Sequence, residues 1–76
     1  MMNKDLQYYM TLPYRVVITP PSEEDDRWLA YFPELEGCST HANSWVDLEQ
    51  QISDAKETWL ELSLELDDEI PEPILT

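Results

Sequence analysis

The sequence predicts an α+β domain: a small antiparallel three-stranded sheet with one long helix packed on it and a short N-terminal helix. Two runs rich in β-branched and aromatic residues, 14–19 and 27–32, flank a Pro20-Pro21-Ser22-Glu23-Glu24-Asp25-Asp26 connection, which is the pattern of a β-hairpin. Over residues 45–66 apolar residues recur at alternating spacings of three and four, the period of an amphipathic helix. Gly37 is the single glycine. It sits in a tight Phe32-Pro33-Glu34-Leu35-Glu36-Gly37-Cys38 turn and is expected to supply a positive φ that other residues resist.

Each element follows from local pattern. Residues 3–11 read as a short helix with Asn3 as N-cap and Leu6, Tyr9 and Met10 on one face; Pro13 ends it. In the strand 14–19, Tyr14, Val16 and Ile18 share one face, and Val17 lies on the other between Arg15 and Thr19. Pro20 and Pro21 stop that strand. In 27–32, Trp28, Ala30 and Phe32 face one way, Leu29 and Tyr31 the other. Apolar residues on both faces predict a sheet covered on more than one side. A third short strand is expected over 38–41. Asn43 or Ser44 caps the long helix, 43–66, and Asp47 suits its N-terminus electrostatically. Trp45, Leu48, Ile52, Ala55, Trp59, Leu62 and Leu66 form its predicted buried stripe. Val46, Leu60 and Leu64 lie about 100° or more from the centre of that stripe. They form a second apolar edge, read either as incidental exposure or as a contact with a second chain. Pro71 and Pro73 force residues 67–76 into an extended tail. The whole of 1–76 is expected to form one domain.

Composition restricts function. A domain of this size buries only about 60% of its unfolded surface, so oligomerisation is a common source of added stability. One cysteine excludes an intramolecular disulfide and suits a reducing compartment. The sequence contains no signal-peptide pattern and no run of about 20 apolar residues, so a soluble, cytoplasmic protein is expected. Seventeen acidic residues against four basic ones give a net charge of −13. Such a chain repels phosphate backbones and is steered toward a basic partner. Three Trp, four Tyr and the two periodic patterns argue against disorder.

No group of residues forms a complete reaction centre. The acidic clusters Glu23-Glu24-Asp25-Asp26 and Asp67-Asp68-Glu69 lack the spacing of a calcium loop and read as a solvated turn and a frayed helix end. Glu57, Glu61 and Glu65, at i, i+4 and i+8, line one helix face, either as its wet side or as a contact for a basic partner. Cys38 and His41 are three residues apart on a strand, so their side chains point to opposite faces and do not converge on a metal or a reacting atom. Cys38 reads as half-buried structure and His41 as a surface residue. The three tryptophans read as core, with Trp45 the one expected to be partly exposed. No cofactor or metal is expected.

Taken together, the strand with Tyr14, Val16 and Ile18, the run Trp28-Leu29-Ala30-Tyr31-Phe32-Pro33-Glu34-Leu35-Glu36-Gly37-Cys38, the helix with Asp54-Ala55 and Trp59-Leu60-Glu61, and the terminal Ile70-Pro71-Glu72-Pro73 resemble the HicB-like antitoxin family. The lead-in from Leu6 to Tyr14 is similar too, so the resemblance covers nearly the whole chain. It implies a β-β-β-α core described as a partly degraded ribonuclease-H-like fold. It also implies a non-enzymatic role: binding and occluding HicA, a small basic messenger-RNA-cleaving toxin, as a homodimer or homotetramer. The residues expected to meet the toxin are Glu57, Glu61 and Glu65, and those expected at a subunit or partner contact are Val46, Leu60 and Leu64. Two departures stand out. His41-Ala42-Asn43-Ser44 replaces the Gly-Asp/Glu-Thr type of turn before the helix, and no DNA-binding segment follows the Pro-x-Pro, so operator binding is not expected. The alternative function is an oligomerising protein–protein module with no toxin partner. A residual nuclease would need clustered carboxylates around metal ions, whereas the acids here fall mainly on turns and the outer helix face.

Overall fold

The computed structural model describes residues 4–73. In chain order they form α1 (Leu6–Met10), β1 (Val17–Thr19), β2 (Trp28–Tyr31), β3 (Ser39–Ala42) and α2 (Trp45–Glu65). The three strands form one sheet in the order β1-β2-β3. Both pairings are antiparallel, with Ile18 opposite Ala30 and Ala30 opposite Thr40. The fold is therefore the expected α+β arrangement of a three-stranded sheet, a long helix and a short N-terminal helix.

The helix ends are set by capping chemistry. The Ser44 hydroxyl accepts from the Asp47 backbone N–H at 3.2 Å, which selects Ser44 over Asn43 as the cap of α2. The cap of α1 is Asp5, whose carboxylate accepts from Tyr8 N–H at 3.0 Å; the expected cap, Asn3, lies outside the described residues. At the other end of α2, Asp67 takes φ +57°, with Asp67 N–H donating to Leu64 O at 3.2 Å and Asp68 N–H to Ser63 O at 2.9 Å. These two bonds close a Schellman motif. Asp67 and Asp68 thus belong to an ordered helix stop and not to the frayed end expected for them.

The core has three connected parts. Tyr14, Phe32, Leu35 and Cys38 pack against Val16, Ile52, Ala55 and Trp59. Ala30, Ala42 and Leu48 pack against Ile18, Trp28 and Ile52. Tyr9, Leu60 and Ile70 form the third part with Leu6, Met10, Trp59 and Leu64. The first two join sheet to helix as expected. The third joins α2 to α1 and to the returning tail, and it changes which face of α2 is buried. Leu60 is 0% exposed, whereas Leu62 and Leu66, placed on the expected buried stripe, are 54% and 61% exposed. The expected contact role of Leu60 is corrected accordingly: it is core and closed to a second chain. Leu64 is half-buried against the same cluster, and of that trio only Val46 is open to solvent.

Two further expectations change. Among the described residues nothing covers the sheet face opposite α2, where Val17 and Tyr31 are exposed and Leu29 is half-buried. None of the three tryptophans is fully buried: Trp28 and Trp59 are half-buried, and Trp45 is exposed with its ring 5.5 Å from that of Trp28. The tail is extended but held. Ile70 is buried, and the Tyr14 hydroxyl donates to Pro71 O at 2.6 Å. Glu72 accepts from Lys4 at 2.8 Å and from the Tyr8 hydroxyl at 3.2 Å.

The reassigned helix face predicts a contrast. In urea denaturation, Leu60→Ala lowers stability by about 2–5 kcal/mol, as expected for a buried leucine that leaves a cavity. Leu66→Ala changes it by no more than about 0.5 kcal/mol, the range for exposed positions.

Candidate functional site

The turn between β2 and β3 borders one of the grooves of the surface. Gly37 adopts φ +82°, the left-handed value expected of it. The turn is closed by Leu35 N–H to Phe32 O, Cys38 N–H to Leu35 O and Phe32 N–H to Cys38 O, at 3.1, 2.9 and 3.0 Å. Trp59 of α2 donates its indole N–H to Glu36 O at 2.9 Å, and the Cys38 thiol lies 3.6 Å from Ala55 O. These contacts fix α2 at a set distance from the start of β3 and leave a shallow groove of about 370 Å³ between them, open to solvent. Its walls include Cys38 and Ser39 on one side and Asp54, Ala55, Trp59 and Leu62 on the other. A second hollow continues along β3, with His41, Asn43, Asp47 and Gln51 in its walls; Gln51 is common to both.

The strand beside this groove is an edge. The Phe32–Cys38 backbone bond and the β2–β3 register make Ala30↔Thr40 and Trp28↔Ala42 hydrogen-bonded pairs, because such pairs alternate along an antiparallel ladder. Ser39 and His41 therefore direct their N–H and C=O groups away from β2. Among the described residues these groups have no backbone partner.

The charge distribution follows from where the few cations go. Arg27 pairs with Asp25 at 2.9 Å, Lys4 with Glu72 at 2.8 Å and Arg15 with Glu34 at 3.7 Å. The Lys56 ammonium donates to Met10 O at 3.2 Å, lies 5.5 Å from the centre of the Tyr14 ring, and has its pKa lowered by burial. All four cations thus have an internal partner, and most carboxylates are left facing solvent. Glu57, Glu61 and Glu65 are all exposed on α2. At about 100° per residue they share a quadrant with Asp54, next to the quadrant of Gln51, Thr58 and Leu62 that walls the groove. Glu57, Glu61 and Glu65 lie on an outer helix face as the spacing predicts, whereas Leu62, expected in the core, is exposed, and the open backbone of β3 has no signal in the sequence.

Cys38 and His41 fall on opposite faces of the sheet edge. Cys38 is buried, and burial raises its thiol pKa; His41 is exposed. Among the described residues no group of three or more His, Cys, Asp or Glu is arranged to hold a metal ion, and no helix is long and apolar enough to cross a membrane. The surface can offer backbone hydrogen bonds, an apolar trough and negative charge.

Comparison with family models, curated proteins and solved structures finds no match. The resemblance to HicB-like antitoxins rests on the residues quoted for it.

The Asp25–Arg27 pair gives a pH prediction. The hydrogen bonds from Arg27 lower the Asp25 pKa from 3.8 to about 2. A folded pKa below the unfolded one stabilises the turn above the unfolded value, and that contribution is lost as pH falls through about 2. Carboxyl-detected NMR should show Asp25 titrating near pH 2, and Arg27→Ala should return it toward 3.8.

Proposed function

We propose that this chain is a non-enzymatic, antitoxin-like protein that binds and occludes a small basic RNA-cleaving toxin, as the resemblance to the HicB-like family implies. The observation that carries the reading is the charge: a net of −13, with every cation occupied internally and an acidic ridge of Asp54, Glu57, Glu61 and Glu65 exposed on α2. Such a surface accelerates encounter with a cationic partner and rejects nucleic acid, so it would act on RNA cleavage by covering the enzyme and not by competing for the RNA. Exposed Leu62 and Leu66 beside the ridge give a contact an apolar centre with a charged rim. The uncovered sheet face around Val17 and Tyr31 favours a second reading, an oligomerising interaction module that buries this face against a copy of itself.

A pull-down of the tagged chain from its native cells at low salt separates the two. The antitoxin reading expects a stoichiometric small basic protein that elutes at high salt and whose RNA cleavage the chain blocks. Recovery of the chain alone, as a dimer or tetramer insensitive to salt, would support the module instead. Charge reversal of Glu57, Glu61 and Glu65 to lysine is expected to weaken toxin binding by roughly tenfold or more, at about 0.2–1 kcal/mol for each exposed pair lost and more where repulsion replaces it. It should also flatten the dependence of affinity on ionic strength. Unchanged affinity in calorimetric titration would remove these residues from the interface.

A further inference from the structure

We propose that the free edge of β3 and the groove beside it seat an extended basic segment of a partner protein, added antiparallel as a fourth strand. The proposal rests on the reading above for the existence of a basic partner and goes further in naming where and how it docks. Ser39 and His41 turn two N–H and two C=O groups outward from β3, enough for four backbone hydrogen bonds to an incoming strand. Two of the devices that keep sheet edges from pairing, proline and a basic side chain, are absent from this edge. Within Ser39–Ala42 there is no proline, lysine or arginine, whereas β1, the other edge, has three residues and is followed at once by Pro20 and Pro21.

The geometry also sets the side-chain pattern of the segment. Directly opposed residues of an antiparallel pair project to the same face. Residues that hydrogen-bond to Ser39 and His41 therefore point to the outer face, where they extend the apolar surface of Val17, Leu29 and Tyr31. The alternate residues point toward α2 and into the groove. Its floor of Ala55, Trp59 and Leu62 suits methylene stems, and Asp54 on its wall, with Asp47 in the hollow further along β3, suits cationic ends. The segment that fits alternates lysine or arginine with apolar residues over about four to six positions, since four residues of strand span about 13 Å. Charge decides against a second copy as the occupant. Pairing β3 with itself would set Asp47 and Asp54, which flank this edge, against the same carboxylates of the copy.

The test titrates isotope-labelled protein with an end-capped hexapeptide of alternating lysine and valine, read by NMR. Binding should shift the Ser39 and His41 amides and slow their hydrogen exchange. N-methyl groups on the valines, which supply the bonds to the edge, should raise Kd at least tenfold; N-methyl groups on the lysines, whose N–H groups point away, should change it less than twofold. In the protein, His41→Pro removes an outward N–H that the β2–β3 ladder does not use and should raise Kd at least tenfold, while His41→Ala leaves it nearly unchanged. The two methylated peptides act on the unaltered protein, so the result stands even if His41→Pro unfolds. Equal affinity for the two methylated peptides, or no binding of the parent peptide, would overturn the proposal. So would peptide-free protein that sediments as a dimer and is dissociated by His41→Pro, since that makes a second copy the occupant. Each of these leaves the antitoxin reading standing, because that reading falls only if no basic RNA-cleaving protein is captured and blocked.

Discussion

The turn from Phe32 to Cys38 is the constraint on which the rest of the molecule depends. Leu35 at its apex is fully buried, and three backbone hydrogen bonds close the turn around it. Its flanks tie in every neighbour: the Glu34 carboxylate accepts from Arg15 N–H at 2.8 Å ahead of β1, and Trp59 donates to Glu36 O from α2. Because the Phe32–Cys38 bond belongs to the same ladder as the β2–β3 pairs, the turn also fixes which residues of β3 face inward and which backbone groups are left at the edge. A one-residue slip there would move Cys38 out of the core and interchange the two sets. The depth of the groove is likewise set by how far the turn holds α2 from the strand.

Most of the framework is legible in the residues. The two β-type runs, the long helical period and the lone glycine each carry a local physical signal, and each is found where that signal puts it. Leu60 and Leu62 show where local signals stop. Two residues apart on a helix, they differ in burial only because α1 and Ile70 approach α2 from the side away from the groove, and no periodicity in residues 45–66 encodes that approach. The same holds for the outer sheet face. Leu29 and Tyr31 announce a surface that prefers to be covered, but a sequence pattern does not say whether the cover comes from the same chain. The groove was legible only in part: the acidic ridge of Glu57, Glu61 and Glu65 beside it could be read from helical spacing, while its own lining and the open N–H groups of Ser39 and His41 follow from packing and pairing geometry that single residues do not reveal.

Charge and structure are linked through the small number of cations. With four basic residues all engaged in holding the tail, the lead-in to β1, the hairpin loop and the end of α1, the fold uses its positive charge for internal cohesion. The self-repulsion that remains is a standing cost to the compact state, and any cationic species that bound this surface would relieve it and stabilise the fold by mass action.

The Lys4–Glu72 ion pair joins residues separated by 68 positions and makes the described chain nearly a ring. A short covalent link across that gap would replace a salt-sensitive contact by a bond that ionic strength does not loosen. The chain could then be reopened elsewhere, in the exposed stretch around Glu23 and Glu24, without removing a rung of either strand ladder or a member of the three core clusters. Connectivity between Lys4 and Glu72 is thus interchangeable with connectivity between the first two strands, and residues 4–72 rejoined in that order should keep the same sheet, helix and groove.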